Sequence, residues 1–218
     1  PKPPKTCTPP TSVPGLQMWL DAMDVQTLSK DTLSLVSKWQ DKSGKGNHAT
    51  QADGAQQGKW LAKTAIGRPG VAFDGANDWM VLPDFMTSSS LSIVFAASRG
   101  VGGKSLATLL ANYGKDPGDE LLSLNDAGGA FARDASAKVL NGQAPLPVGL
   151  HLRAVVLDAA AGKLTVTTDG VVKTATGPYS QASVFAGGEP PLLGAQGSAQ
   201  PSGVAQANAD THWLGDVH

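Results

Sequence analysis

The chain has 218 residues, 41% of them apolar, which is enough for one large domain with a real core. Its 17 basic residues stand against 18 acidic ones, a formal net charge of −1, so no basic surplus points to nucleic acid or to an anionic membrane surface. No run approaches the ~18 apolar residues of a transmembrane helix.

The residue choice points to strands and turns. Glu120 and Glu189 are the only glutamates; every other acid is an aspartate. Aspartate favours caps, turns and ligand loops, whereas glutamate favours helices. With 26 Gly and 15 Pro, this composition predicts a turn-rich β protein. Five of the first ten residues, PKPPKTCTPP, are proline. Residues 1–12 therefore read as a stiff, extended linker carrying the single cysteine, Cys7, and the domain as residues 13–218. A chain that opens on Pro1 without an initiator Met reads as a processed or excised piece of a longer protein. Low Lys and Glu with abundant Ala, Gly, Ser and Thr suits a secreted or surface protein.

In chain order, LQMWLD (Leu16–Asp21) is expected as the first strand, with a short helical turn before LSLVSKW (Leu33–Trp39). The loop WQDKSGKGNHAT follows, then the turn-rich QADGAQQGKW. IGRPGVAFDGANDWMVL predicts two short strands around a Gly-Ala-Asn turn. SLSIVFAAS (Ser90–Ser98), LATLLANY, ELLSLND, GAFARD, AKVLNG and LHLRAVVLD (Leu150–Asp158) are further strands. KLTVTTDGVVKTATG reads as a hairpin, because Asp169-Gly170 supplies the two positive-φ residues of a type I′ turn. PPLLGAQG and THWLGDV complete about a dozen short strands with almost no amphipathic helix. Such spacing predicts a two-sheet antiparallel sandwich or jelly roll.

Several chemistries can be tested on spacing. Asp41, Ser43, Lys45 and Asn47 occupy positions 1, 3, 5 and 7 of an EF-hand frame, but Lys45 puts a cation at position 5 and Ala52 stands where a bidentate Glu is required. SRGVGGKS (Ser98–Ser105) mimics a phosphate loop, yet its first glycine is replaced by Ser98 and no helix follows to hold phosphate. Ser-His-Asp catalysis lacks a G-x-S-x-G elbow, and His48, His151, His212 and His218 are too scattered for a zinc site. Glycoside hydrolysis needs two carboxylates facing across a cleft, and no acidic strand offers them.

Five of the twelve aromatics are tryptophan. Trp rings stack on sugar faces or fill cores. Trp19 and Trp39 lie in apolar strands and are expected in the core; Trp60 and Trp79 adjoin loops and are ligand candidates. Oxygen-rich turns at Asp116, Asp119 and Glu120, and at Asp74, Asn77 and Asp78, are candidate calcium sites.

Four segments carry a family resemblance: GLQMWLDAMD (Gly15–Asp24), VSKWQDKSGKGNHATQ (Val36–Gln51), RPGVAFDGANDWMVLP (Arg68–Pro83) and the strand SIVFAA. Their order and wording resemble the bacterial laminin-G-like domains of the concanavalin A-like lectin/glucanase superfamily. The resemblance implies a two-sheet antiparallel jelly roll. It departs at WLGDVH, where such domains go on to an aliphatic run, so a final strand is expected to be missing, cut off or supplied from outside this chain, a cut boundary being the first explanation. It also implies a non-catalytic domain that binds a glycan or a surface protein, often with calcium. The expected function is a carbohydrate-binding or adhesion domain of a bacterial surface or secreted protein, of the kind found on pili and adhesins. A structural or protein-interaction module is the alternative, and a polysaccharide-degrading enzyme the minor one. The candidate ligand-binding residues are Asp41, Asn47, His48, Trp60, Asp78 and Trp79, and the candidate calcium ligands Asp116, Asp119 and Glu120. In this reading the Trp39–Thr50 loop is mainly structural, with Asp41 and Asn47 capping local N–H groups.

Overall fold

A computed structural model describes residues 9–86, 88, 90–102, 107–113, 120–125, 129–134, 138–142, 144–179, 190–195 and 212–218. Among the described residues, strands dominate and helix is confined to three single 3₁₀ turns, at Pro10–Ser12, Val25–Thr27 and Gly54–Gln56. In chain order the strands are β1 (Leu28–Lys30), β2 (Val36–Trp39), β3 (Ala49–Thr50), β4 (Lys59–Leu61), β5 (Gly70–Asp74), β6 (Met80–Val81), β7 (Leu91–Arg99) and β8 (Thr108–Tyr113). They continue with β9 (Glu120–Asn125), β10 (Gly129–Arg133), β11 (Val139–Asn141), β12 (Gly149–Asp158), β13 (Lys163–Thr168), β14 (Val171–Thr176), β15 (Leu192–Leu193) and β16 (Leu214–Val217).

These strands form two antiparallel sheets. One has nine strands in the order β1-β2-β3-β6-β15-β8-β9-β10-β11; the other has seven, β14-β13-β12-β7-β16-β5-β4. The two-sheet antiparallel jelly roll expected from the sequence is what the chain forms. Its core lies between the sheets. Trp39, Met80, Leu110, Leu124 and Leu140 come from the nine-stranded side, and Phe73, Val155, Leu157, Leu164 and Val217 from the other. Fully burying each such side chain is worth roughly 1.5–3 kcal/mol.

The β13–β14 hairpin turns at Asp169 and Gly170, with φ of 48° and 86°, the positive pair a type I′ turn needs. The expected helical turn before β2 is a single 3₁₀ turn, and a short strand, β1, follows it. Leu16–Asp21 differs from expectation, because it joins no ladder. Side chains and one backbone amide of another loop take the places a neighbouring strand would fill, as described below.

β16 lies inside the seven-stranded sheet, with Gly215–Val217 opposite Ala97–Arg99 of β7 and Leu214–Val217 opposite Val71–Asp74 of β5. β7 is paired with β12 along its whole length, from Leu91 to Arg99. On its other side, the stretch Leu91–Phe95 faces no strand among the described residues.

Candidate functional site

The loop from Trp39 to Thr50 is a clasp. Trp39 is fully buried and anchors its start. The Asp41 carboxylate accepts from the backbone N–H of Trp19 (2.8 Å), Ser43 (2.8 Å) and Asn47 (3.1 Å), and from the Ser43 hydroxyl (2.6 Å). Burial opposes ionisation of this carboxyl, but the bonds from Ser43, Trp19 and Asn47 outweigh it and hold its pKa below the ordinary value. The Asn47 side-chain amide donates to the carbonyl of Gln17 and the Lys42 N–H to that of Trp19, while the Ser43 hydroxyl, whose one proton goes to Asp41, lies 3.1 Å from the Gln17 carbonyl. His48 Nδ1 accepts from the Asp41 N–H at 3.0 Å, which fixes the proton of the neutral ring on Nε2. Gly44 and Gly46 take φ of 85° and 79° to bend the loop.

Lys42 completes the clasp. Its ammonium pairs with Asp21 at 2.9 Å and Asp24 at 2.8 Å and sits 4.4 Å from the centre of the Trp19 ring. Hydrogen bonds to Asp21 and Asp24 raise its pKa. Three candidate ligand residues, Asp41, Asn47 and His48, are thus brought together; Asp41 and Asn47 bind the chain's own Gln17–Trp19 segment, and His48 binds the Asp41 backbone.

The other candidates lie apart from the clasp. Trp60 is half-buried on the core; its indole N–H donates to the Ala22 carbonyl at 3.1 Å, and Lys30 Nζ stands 5.1 Å from its ring centre. Trp79 packs with Leu192 and Ala195 in a small buried cluster, so the ring expected to meet a ligand is an interior residue. Asp78, 8% exposed, accepts from the Asp74 N–H at 3.0 Å. Desolvation pushes its pKa up to about 6, against the lowering effect of that bond and with a small further push from Asp74.

The calcium candidates fare differently. Asp74 Oδ1 accepts from Ala76 and Asn77 N–H, and the Asn77 amide donates to the Ala55 carbonyl, so this turn is closed on its own backbone and does not fit a calcium cage. Asp116 and Asp119 lie outside the described residues; the Glu120 backbone opens β9 opposite Tyr113. Among the described residues, no group of three His, Cys, Asp or Glu side chains is placed to hold a metal ion.

Two arrangements escaped the sequence reading. His151 Nδ1 meets Asp169 Oδ2 at 2.5 Å, while Asp169 Oδ1 accepts from the Leu152 N–H. The His151 bond, then the Leu152 one, keep the Asp169 carboxyl below its usual range. The second arrangement is an inverted strand face. In β12 the period-two alternation that buries Val155 and Leu157 also buries Arg153, which is 1% exposed. Its guanidinium donates to Thr168 Oγ1 at 3.0 Å and to the Ala144 carbonyl at 2.6 Å. Desolvation pulls its pKa down to about 10, so it remains a cation at neutral pH. The same alternation turns Leu152 and Val156 outward, 59% and 41% exposed, beside Val94 of β7 at 67%. LHLRAVVLD carries this signal: a single Arg at a core register position forces the flanking leucines out.

A groove of about 1180 Å³ opens next to that face. Met18 and Leu20, Ile93 and Phe95 of β7, Phe85, Trp39 and His218 are among the residues that line it. Met18, Leu20, Phe85, Ile93 and Phe95 are core residues that are only partly buried.

No protein-family model and no curated protein matches the chain. Among solved structures, it is similar to the native heptameric SAP-like pentraxin of Limulus polyphemus. The identity is 11%, the match covers 67% of this chain and 71% of that chain, and the TM-score is 0.43.

Proposed function

We propose that this chain is a non-catalytic interaction module, a laminin-G-like domain of a secreted or surface protein, that engages a partner polypeptide through its seven-stranded sheet. The observation that carries this reading is the outward apolar row of Val94, Leu152 and Val156 beside a buried Arg153. Exposed leucines scattered singly need no explanation, but a contiguous apolar row on one sheet face, continuous with a groove, marks an interaction surface. The laminin-G-like assignment rests on the two motif segments that the clasp joins, Gly15–Asp24 and Val36–Gln51. A secreted location rests on the composition.

Carbohydrate binding is the competing reading, and Trp60 is its best remaining residue, since part of its ring is at the surface. A glycan array probed in calcium and again in chelator separates the two. Retention of no glycan in either buffer is expected. A glycan retained by the parent protein and lost in W60A replaces the polypeptide reading with a lectin. If retention also disappears in chelator, calcium takes part.

A further inference from the structure

Among the described residues the two sheets have four edges, and three of them are short or covered. β1 and β11, at the ends of the nine-stranded sheet, are three residues each. β4 ends the seven-stranded sheet, but the chain covers its outer side. The Trp60 N–H donates there to the Ser34 carbonyl, and the Val36 N–H to the Gly58 carbonyl. Short and covered edges are the usual protection against stray strand pairing. β14, at the other end of that sheet, has neither. It runs six residues, five of them exposed, with Val171 at 64% and Val172 at 58%. Val171, Val172, Thr174 and Thr176 are β-branched, the residues that suit a pleated surface, and Lys173 is the strand's only charge.

The free backbone groups of β14 can be assigned. The Gly177 N–H donates to the Gly162 carbonyl, in step with the β13–β14 register. That bond and the two-residue turn at Asp169 and Gly170 give the odd-numbered residues of β14 to β13. Val172, Thr174 and Thr176 therefore turn their N–H and C=O to the open side. Side chains follow the same alternation. Lys173 and Ala175 stand opposite Val166 and Leu164 and share their core-side face, so Val172, Thr174 and Thr176 lie on the outward face.

We propose that β14 pairs with β14 of a second copy of this chain, antiparallel about a twofold axis, joining the two seven-stranded sheets into one. Such an axis must match even-numbered residues with even-numbered ones, so it passes through a residue. The two positions nearest the middle of the strand are Lys173 and Thr174. An axis at Lys173 sets two ammonium groups directly opposite each other, which is destabilising. An axis at Thr174 sets Thr174 against its own copy, Val172 against the partner's Thr176, and Lys173 against the partner's Ala175. The three outward-turned residues then exchange ladder bonds, and their side chains make Thr–Thr and Val–Thr cross-strand pairs. The single charge thus selects one self-complementary register, which is why the occupant is a second copy. The pairing uses the open edge of both chains, so the assembly closes at a dimer. It goes beyond the polypeptide-partner reading and stands without it.

The test uses the full 218-residue chain. Sedimentation equilibrium from about 5 to 500 µM is expected to show a monomer–dimer equilibrium with a dissociation constant of roughly 10–100 µM, as for a small, transient interface. Amide exchange at Val172, Thr174 and Thr176 should slow as concentration rises, while Lys173 and Ala175, already bonded to β13, should not change. T174P removes a donor from the open side and none from β13, and T174K puts like charges on the axis. Each should weaken dimerisation by about tenfold or more, and T174K decides if the proline variant fails to fold. In a C7S background, T174C should form a disulfide between copies on mild oxidation and K173C should not, since only position 174 meets itself. A monomer throughout that range, a dimer that T174K leaves intact, concentration-independent exchange at the three amides, or cross-linking through K173C in place of T174C overturns the proposal. None of these results bears on the outward face, and a glycan bound through Trp60 leaves the pairing untouched.

Discussion

Asp41 shows how much one carboxylate can organise. Four donors converge on it, from Trp19, 22 positions away, and from Ser43 and Asn47 of its own loop, and three of them are backbone amides. D41A should cost about 1–3 kcal/mol by urea denaturation, because it leaves those partly buried amides without their acceptor. The charge adds a pH dependence whose sign follows from its depressed pKa. The stabilisation is present above the ordinary carboxyl value of about 3.9 and is lost as pH falls through the folded-state pKa. Asp78 behaves in the opposite way. Its folded pKa of about 6 lies above the ordinary value, so the folded state holds a proton that the unfolded chain has released. Stability tied to Asp78 is full below about pH 4 and declines as pH rises through 6. D78N should therefore be more stable than the parent by about 1–2 kcal/mol at pH 8, after the cost of burying its amide, and the gain should vanish by about pH 4. Denaturation midpoints of the two proteins across that range check it. Arg153 belongs beside them as a third buried polar group, satisfied through Thr168 and Ala144.

β16 depends on a position without a side chain. Gly215 has φ of 149°, and a Cβ there would overlap the carbonyl oxygen of Ser98 on β7. G215A should displace β16 from β7 and cost about 3 kcal/mol or more, read from the urea midpoint together with the fluorescence of the neighbouring, fully buried Trp213. The strands themselves were largely legible. Alternation and turn residues located β5, β7, β12 and the β13–β14 hairpin, because each carries its own pattern. Leu16–Asp21 did not read correctly. Its apolar alternation is real, but hydrogen bonding to a loop rather than a strand is settled by Asp41, Ser43 and Asn47, which lie outside any local window. The same limit hid the His151–Asp169 contact, made across the β12–β13 pair. It also misplaced Trp79, which sits beside a loop in sequence and inside a cluster in space.

For the molecule as a whole, the fold class was written in composition and spacing, whereas the order of strands was not. Residues that are central to the seven-stranded sheet come from far apart in the chain: Ser98 bonds Asp216 across 118 positions, and His218 bonds the Pro69 carbonyl across 149. The Trp39–Thr50 loop, the most conspicuous stretch of the sequence, holds the Gln17–Trp19 segment that lines the groove. Until β16 is laid down, β14-β13-β12-β7 and β5-β4 are two separate pieces of sheet. The 118 positions between Ser98 on β7 and Asp216 on β16 take a ribosome delivering about 5–20 residues per second roughly 6–24 s. Throughout that interval both pieces expose unpaired edges, so this domain closes after synthesis of residues 214–217 rather than during it. Its window of vulnerability to aggregation is set by translation.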